Sequence, residues 1–377
     1  MNKKQFTSIE LCAGSGGQAL GLERAGFEHL ALVEFEADQC ATLRSNSSHP
    51  DVNMDWNVVH EDMMEFDASP YVGVDLVAGG VPCQPFSVAG TRGGEGDERN
   101  MFPRALDIVE ETRPKAVILE NVKNLFSRKF DDYRAWVASR FEGMDYKVHW
   151  QVISCDLFGV PQKRERAILV ALKPEYFDNF VFPGAIEHER VSLRDAIYDI
   201  MSEDGWPGAE KWYEQSADRP SYTIVGGSRK AGGARIETGL RSRSDWENTF
   251  RINARSLAYE PPSESDPEDM LPRMTIPMAA RVQGFPDDWH FVGSKTSQFR
   301  QVGNAFPPQA SQAVGEAVAA ALRGEKPTHG HGPGTVAYRS QSGSEGRISS
   351  PQEWAKASKA APSRAGEKME LFSSFEM

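Results

Sequence analysis

Cysteine is scarce in this chain: four in 377 residues, at Cys12, Cys40, Cys83 and Cys155. There is no C-x-x-C pair and no Cys/His pair at zinc spacing, so neither a disulfide framework nor a structural metal is expected, and no metal ligand is assigned. Long apolar runs are lacking too. No stretch approaches the roughly 18 residues that a membrane helix needs. Residues 1–11 carry two lysines with no long apolar stretch behind them, and read as a first strand, not a signal peptide. The expected compartment is the cytoplasm, with no membrane partner. Positive charge is in deficit: 42 Lys and Arg stand against 54 Asp and Glu, a net charge of −12. Taken alone, that balance argues against a nucleic-acid partner. Its distribution argues differently. Between positions 219 and 255 lie eight basic residues (Arg219, Arg229, Lys230, Arg235, Arg241, Arg243, Arg251, Arg255) and only three acids (Glu237, Asp245, Glu247). A local basic face on an acidic protein can still track phosphates, although a solvated loop would look the same.

What is present first is alternation. Residues 6–11, 30–35, 74–78 and 115–120 read as buried strands, and residues 37–45 and 99–111 as amphipathic helices. Such alternation implies an α/β domain with a mostly parallel sheet covered by helices on both faces. Residues 150–154 and 167–172 flank a turn with Gly159 and Pro161 and predict an antiparallel hairpin at one edge. The character changes near Pro183. A helix is expected over 191–200, then a Gly-, Arg- and Ser-rich, loop-rich module to about Asp269. Helices return at 276–283 and 308–323. After Gly324 the chain is rich in Gly, Ser, His, Lys and Pro, too polar to offset its ordering entropy, and reads as a disordered tail. The division is thus 1–185 with 271–324 as one domain, 186–270 as a second, and 325–377 as tail.

The first strand runs into Glu10-Leu11-Cys12-Ala13-Gly14-Ser15-Gly16-Gly17, which opens a helix. Glycines here permit a tight turn and close approach of a ligand to the backbone, and the helix N-terminus favours negative charge. Glu34, twenty residues past Gly14, ends the second strand, where a carboxylate can accept hydrogen bonds from both hydroxyls of a ribose. Together these point to an adenosine-containing cofactor without choosing which. Gly14-x-Gly16-x-x-Ala19 also satisfies a loose dinucleotide fingerprint. Phe35 can stack on an adenine or be core. Asp62, at the end of the third strand, can hold an adenine amino group or cap a helix.

The most specific feature is Gly79-Gly80-Val81-Pro82-Cys83-Gln84-Pro85-Phe86-Ser87, after the fourth strand. It places a thiol between two prolines at the carboxyl edge of a parallel sheet, where ligands of open α/β sheets bind. A thiolate there is a nucleophile. Glu120-Asn121-Val122 ends the next strand and brings a carboxyl group beside Cys83, where an apolar surround would raise its pKa and make it a proton donor.

These two segments resemble the DNA (cytosine-5)-methyltransferase family. The resemblance continues through Gln162-Lys163-Arg164-Glu165-Arg166, through Arg281 with Gln283-Gly284-Phe285-Pro286, and through Gln301-Val302-Gly303-Asn304-Ala305, in order, from Leu11 to about Leu322. It implies a Rossmann-like S-adenosylmethionine-dependent methyltransferase domain with a smaller target-recognition domain. S-adenosylmethionine would be held by Leu11, Ala13, Gly14, Gly16, Gly17, Glu34, Phe35, Asp62, Met63, Pro82, Asn304 and Ala305. Double-stranded DNA would be the partner, met by Ser87 and by Arg229, Lys230, Arg235, Arg241 and Arg243 in the recognition region. The protein would act as a monomer, with a cognate restriction endonuclease as an associated partner. One departure stands at Met278, where the family often has glutamate.

The implied chemistry is methyl transfer to carbon 5 of a cytosine extruded from the duplex. Cys83 would add to carbon 6. Glu120 would hold or donate a proton at nitrogen 3, and Arg166 would meet the carbonyl oxygen. Arg164 would support Glu120 or the phosphate backbone. RNA-directed relatives usually carry Cys-Phe-Thr in the recognition region, and none occurs between 183 and 269. A silent DNA-binding regulator would need a damaged site, yet Cys83, Glu120 and Arg166 are all present.

Overall fold

The computed structural model describes residues 6–52, 55–82, 101–184, 190–226, 236, 240–325 and 336–338. The chain opens as β1 (Phe6–Leu11), α1 (Gly17–Arg24), β2 (Phe27–Glu34), α2 (Ala37–Ser45), β3 (Val58–His60) and β4 (Leu76–Gly79). There follow α3 (Phe102–Thr112), β5 (Ala116–Val122), α4 (Asp131–Gly143), β6 (Lys147–Ser154), β7 (Glu165–Leu172) and the short α5 (Pro174–Phe177). The sheet order is β3-β2-β1-β4-β5-β7-β6, closed at its far edge by β8 (Val336–Tyr338). The first five strands are parallel, and β7 pairs antiparallel with both neighbours, so the expected hairpin forms but inserts β7 next to β5.

Strand side chains alternate between two apolar layers, as a sheet covered on both faces requires. Val77, Val117, Leu119, Leu169 and Ala171 join Leu106 of α3 and Val137 of α4. Leu76, Ile118, Ile168, Val170 and Leu172 face the other way, with Val314 and Val318 of the helix Pro308–Leu322. The chain order reverses between β1 and β4: β1 leads through α1 to β2 on one side, and β4 lies on the other. A crevice opens at the carboxyl ends of strands at such a point.

The second region is more helical than its composition suggests. It holds α6 (Leu193–Ser202), α7 (Ala209–Gln215) and α8 (Leu240–Phe250). Trp206, Trp212, Trp246 and Phe250 are buried and share a core with Leu20, Leu43 and Trp56 of the first region. Helices α9 (Ile276–Val282), α10 (Lys295–Asn304) and α11 (Pro308–Leu322) then return to the sheet. Within the segment read as an unstructured tail, β8 is one short strand paired to β6. Among the described residues, no helix is long and apolar enough to cross a membrane.

Candidate active site

A cavity of about 500 Å³ lies at the reversal point. Of the residues expected to hold the cofactor, Ala13, Gly14, Gly17, Glu34, Phe35, Asp62, Met63, Pro82, Asn304 and Ala305 line it. Leu11 and Gly16 do not. The Leu11 side chain is wholly buried in the core. Gly16 faces Leu43, Trp56 and Trp289, on the side away from the cavity. Glu120 lines the same cavity.

The carboxylate of Glu34 is fixed at the end of β2 by the backbone. Gly14 N–H donates to Oε2 at 2.8 Å and Glu36 N–H to Oε1 at 2.8 Å. Burial raises its pKa, while these amides act the other way. Each oxygen keeps a lone pair for a ligand hydroxyl. Phe35 is 60% exposed, high for a large apolar side chain, and lies on the cavity wall with Met64. Asp62 does both jobs considered for it: Oδ1 accepts from Met64 N–H at 2.9 Å, and the side chain borders the cavity.

Sequence reasoning missed Glu10, Gln18 and Arg300, which also line the wall. The available signal was Glu10 itself, an acid within a strand whose neighbours are covered on both faces. Its pKa is driven well up by burial and then by the Glu34 charge. Cys12 sits beside these acids in a left-handed conformation (φ 53°), its thiol pKa raised by burial and by Glu34, Asp62 and Glu10.

At the other end stand Glu120 and Arg166. β5 and β7 pair antiparallel with Val122 opposite Arg166, so Glu120, two residues back on the same face, is its diagonal neighbour. Arg166 Nε lies 2.7 Å from Glu120 Oε1. Burial raises the Glu120 pKa despite the Arg166 and Arg164 charges. Cys83 and Ser87 lie outside the described residues, but the stem of their loop is described. Asn121 Nδ2 donates to the Val81 carbonyl at 3.1 Å, tying the end of β5 to the residue before Pro82.

Arg164 departs from expectation. It is fully buried, so it reaches neither phosphate nor solvent. Its Nη1 donates to the Ile224 carbonyl and its Nη2 to the Gly303 carbonyl, each at 2.9 Å. It touches Glu120 only through the field between them, and joins the recognition region to the last motif. Gln162 works beside it, with Nε2 donating to Gln283 Oε1 at 2.8 Å and Oε1 accepting from Ile224 N–H at 2.9 Å. Gln283 Nε2 donates on to the Ala305 carbonyl at 2.5 Å. Gly226 and Gly303 meet backbone to backbone: a methyl group on Gly303 would collide with the Gly226 nitrogen, and one on Gly226 with the Arg300 carbonyl and the Asn304 side chain.

Of the basic residues assigned to DNA, Arg229, Lys230 and Arg235 lie outside the described residues. Arg241 is exposed and Arg243 half-buried on α8, which is anchored through Trp246 and Phe250. Arg281 pairs with Asp287 at 2.7 Å and Asp199 at 2.5 Å, locking α9 to α6. Met278 is buried at the third position of α9, and its sulfur accepts from Thr275 N–H at 3.5 Å, in the place a glutamate carboxylate would take in a capping box. Among the described residues, no group of three or more His, Cys, Asp or Glu could hold a metal.

A sheet of this order, with a cofactor-sized cavity at its switch point and a separate helical module, is the Rossmann-like fold of S-adenosylmethionine-dependent methyltransferases. Residues 6–320 match the C-5 cytosine-specific DNA methylases, and the chain belongs to that family; it is a DNA (cytosine-5-)-methyltransferase. It is 41% identical over 322 residues to the Type II methyltransferase M.NgoMIV of Neisseria gonorrhoeae, covering 85% of this chain and 99% of that one. It is equally 41% identical over 321 residues to M.NaeI of Lentzea aerocolonigenes, covering 84% and 75%. The fold superposes on the Entamoeba histolytica methyltransferase EhMeth with a TM-score of 0.58 at 13% identity, covering 85% and 99% of the two chains.

Proposed function

We propose that the protein methylates carbon 5 of a flipped-out cytosine within a short sequence of double-stranded DNA, through a covalent adduct at Cys83. The observation that carries this reading is one cavity with two ends: the glycine loop and Glu34 at one, the buried Glu120–Arg166 pair at the other. The cavity fits S-adenosylmethionine, because Glu34 has free lone pairs for a ribose, Phe35 offers an exposed ring for a base, and the first turn of α1 has no side-chain cap. When bound there, the cofactor supplies an electrophilic methyl group.

The residues divide the remaining work. The Cys83 sulfur bonds to carbon 6 and pushes electron density onto the ring. Glu120, kept protonated by burial, donates at nitrogen 3. Arg166 balances charge at the carbonyl oxygen. Carbon 5, now nucleophilic, accepts the methyl group, and loss of its proton expels the Cys83 thiolate. Extruding the base costs a few kcal/mol, offset by contacts in the pocket and along the backbone. The exposed Arg241, with Arg243 and the basic residues before α8, would read or hold the duplex. The likeness to two Type II methyltransferases supports a place in a restriction-modification pair, with a cognate endonuclease, in the cytoplasm and as a monomer.

The test is to incubate wild-type protein and Cys83→Ala with S-adenosylmethionine and unmethylated plasmid, then sequence for 5-methylcytosine. Methylation at one short sequence by the wild type alone supports the reading. Methylation by the variant, or by neither protein, overturns it.

A further inference from the structure

Two polar side chains on the cavity wall have no role in this chemistry. Glu10, on β1, is 1% exposed, and its Oε2 has no hydrogen-bond partner among the described residues. Gln18, in the first turn of α1, is 4% exposed, and neither its Oε1 nor its Nε2 has one. Both residues line the cavity. Buried polar atoms are almost always paired, and three orphans facing one cavity mark the place where a ligand completes them.

Their chemistry defines that ligand. One orphan is a carboxyl oxygen, which pairs with a cation. The amide is two-sided but, through Nε2, donates to an anion. It stands on the first turn of a helix without a side-chain cap, where the dipole favours negative charge. The Arg300 side chain adds a positive charge to the same wall. A group with an ammonium and a carboxylate a few bonds apart meets both needs, and the amino-acid tail of an S-adenosyl cofactor is such a group.

We propose that Glu10 and Gln18 form a socket for this tail, Glu10 taking the ammonium and Gln18 the carboxylate, and that this socket makes the enzyme select the intact amino-acid end over truncated adenosyl thioethers. The inference rests on the reading that the cavity holds the S-adenosyl cofactor. It concerns side chains, so it is separable from contacts that any residue's backbone could make.

Titration calorimetry on the full chain tests it with three neutral thioethers: S-adenosylhomocysteine, its decarboxylated form, which keeps only the amine, and methylthioadenosine, which has neither group. The wild type should bind S-adenosylhomocysteine at least about tenfold more tightly than methylthioadenosine, the scale of one charge-assisted hydrogen bond. Glu10→Gln should lose affinity for both amine-bearing ligands. Gln18→Leu should lose it for S-adenosylhomocysteine alone. Both variants should bind methylthioadenosine like the wild type, which also certifies that they are folded. Should both keep the wild-type ratios, or lose all three ligands alike, the socket is overturned while the cofactor reading stands. A wild type that binds none of the three overturns both.

Discussion

Two arginines two residues apart, Arg164 and Arg166, end in opposite circumstances. Arg166 meets the Glu120 carboxylate on the cavity wall. Arg164 is sealed from solvent with two carbonyls as its partners. Their substitutions should therefore fail differently. Arg166→Lys replaces a planar fork by a point charge and should cut the methylation rate at least about tenfold, with the urea midpoint near that of the wild type. Arg164→Met leaves the Ile224 and Gly303 carbonyls without their donor, which should cost about 2–4 kcal/mol in urea unfolding. Equal loss of stability in the two would refute this division. A pattern of two arginines could not reveal it, because positions 164 and 166 share one side of a strand; what separates them is the arrival of residues 221–226 from sixty positions away, which buries the first and leaves the second at the cavity. Glu10 carries its own signature. Burial and the Glu34 charge hold its folded pKa above the unfolded value, so the native state binds more protons across the window between the two. Stability in this term is full below the ordinary carboxylate range and falls as pH rises through the raised folded value. Ligand-free Glu10→Gln should therefore be more stable than wild type at pH 8 by urea melts, and the margin should shrink steadily toward pH 5. A margin that is flat or grows on acidification would contradict the assignment.

The elements were legible where contacts are local or repetitive. The strands of the parallel sheet read as short apolar runs because both faces are covered, and the glycine loop and Pro82 announce the turns at their ends. The recognition region was not legible. Trp212 and Trp246 meet the Phe250 carbonyl and ring, yet the helices carrying them are short, and their apolar positions bury against each other and against α2 and α9. Periodicity over seven to eleven residues cannot register a partner that lies on another segment. The site was legible at its corners, Glu34, Asp62, Glu120 and Asn304, and illegible at Gln18, whose residue type is ordinary in any helix. The stem of the nucleophile loop offers a check at this scale. Asn121, at the end of β5, holds the Val81 carbonyl, and β4 alone cannot orient the loop that leaves Pro82. Asn121→Asp keeps the shape and removes the donor. It should lower kcat by about 10- to 100-fold, the equivalent of a lost buried donor, while the dissociation constant for S-adenosylhomocysteine stays unchanged. A change confined to cofactor affinity would place Asn121 with the cofactor and not with the loop.

Across the whole molecule, the chain that recognises DNA and the chain that holds the cofactor are one packed unit. Residues 221–226 lie along the loop before β7: Lys163 N–H donates to the Ser221 carbonyl and Thr223 Oγ1 to the Lys163 carbonyl. Gln162, Arg164 and Gln283 carry hydrogen bonds from Ile224 to Gly303 and Ala305. Gly226 rests directly on Gly303 and Asn304. A shift of the recognition region on DNA must therefore move or tighten the wall of the cofactor cavity, because packed interfaces do not deform continuously. Linkage then requires a reciprocal effect: a duplex with the target sequence should tighten S-adenosylhomocysteine by some factor, and that ligand should tighten the duplex by the same factor. Gly226→Ala places a methyl group against the Arg300 carbonyl and the Asn304 side chain, prising the two regions apart at their point of contact. The variant should still bind each ligand alone, each weakened, with the mutual factor driven toward one, as measured by fluorescence titration of each ligand in the presence and absence of the other. A variant that keeps the wild-type factor would show that the communication runs elsewhere, through the loop of Cys83, and not through this seam.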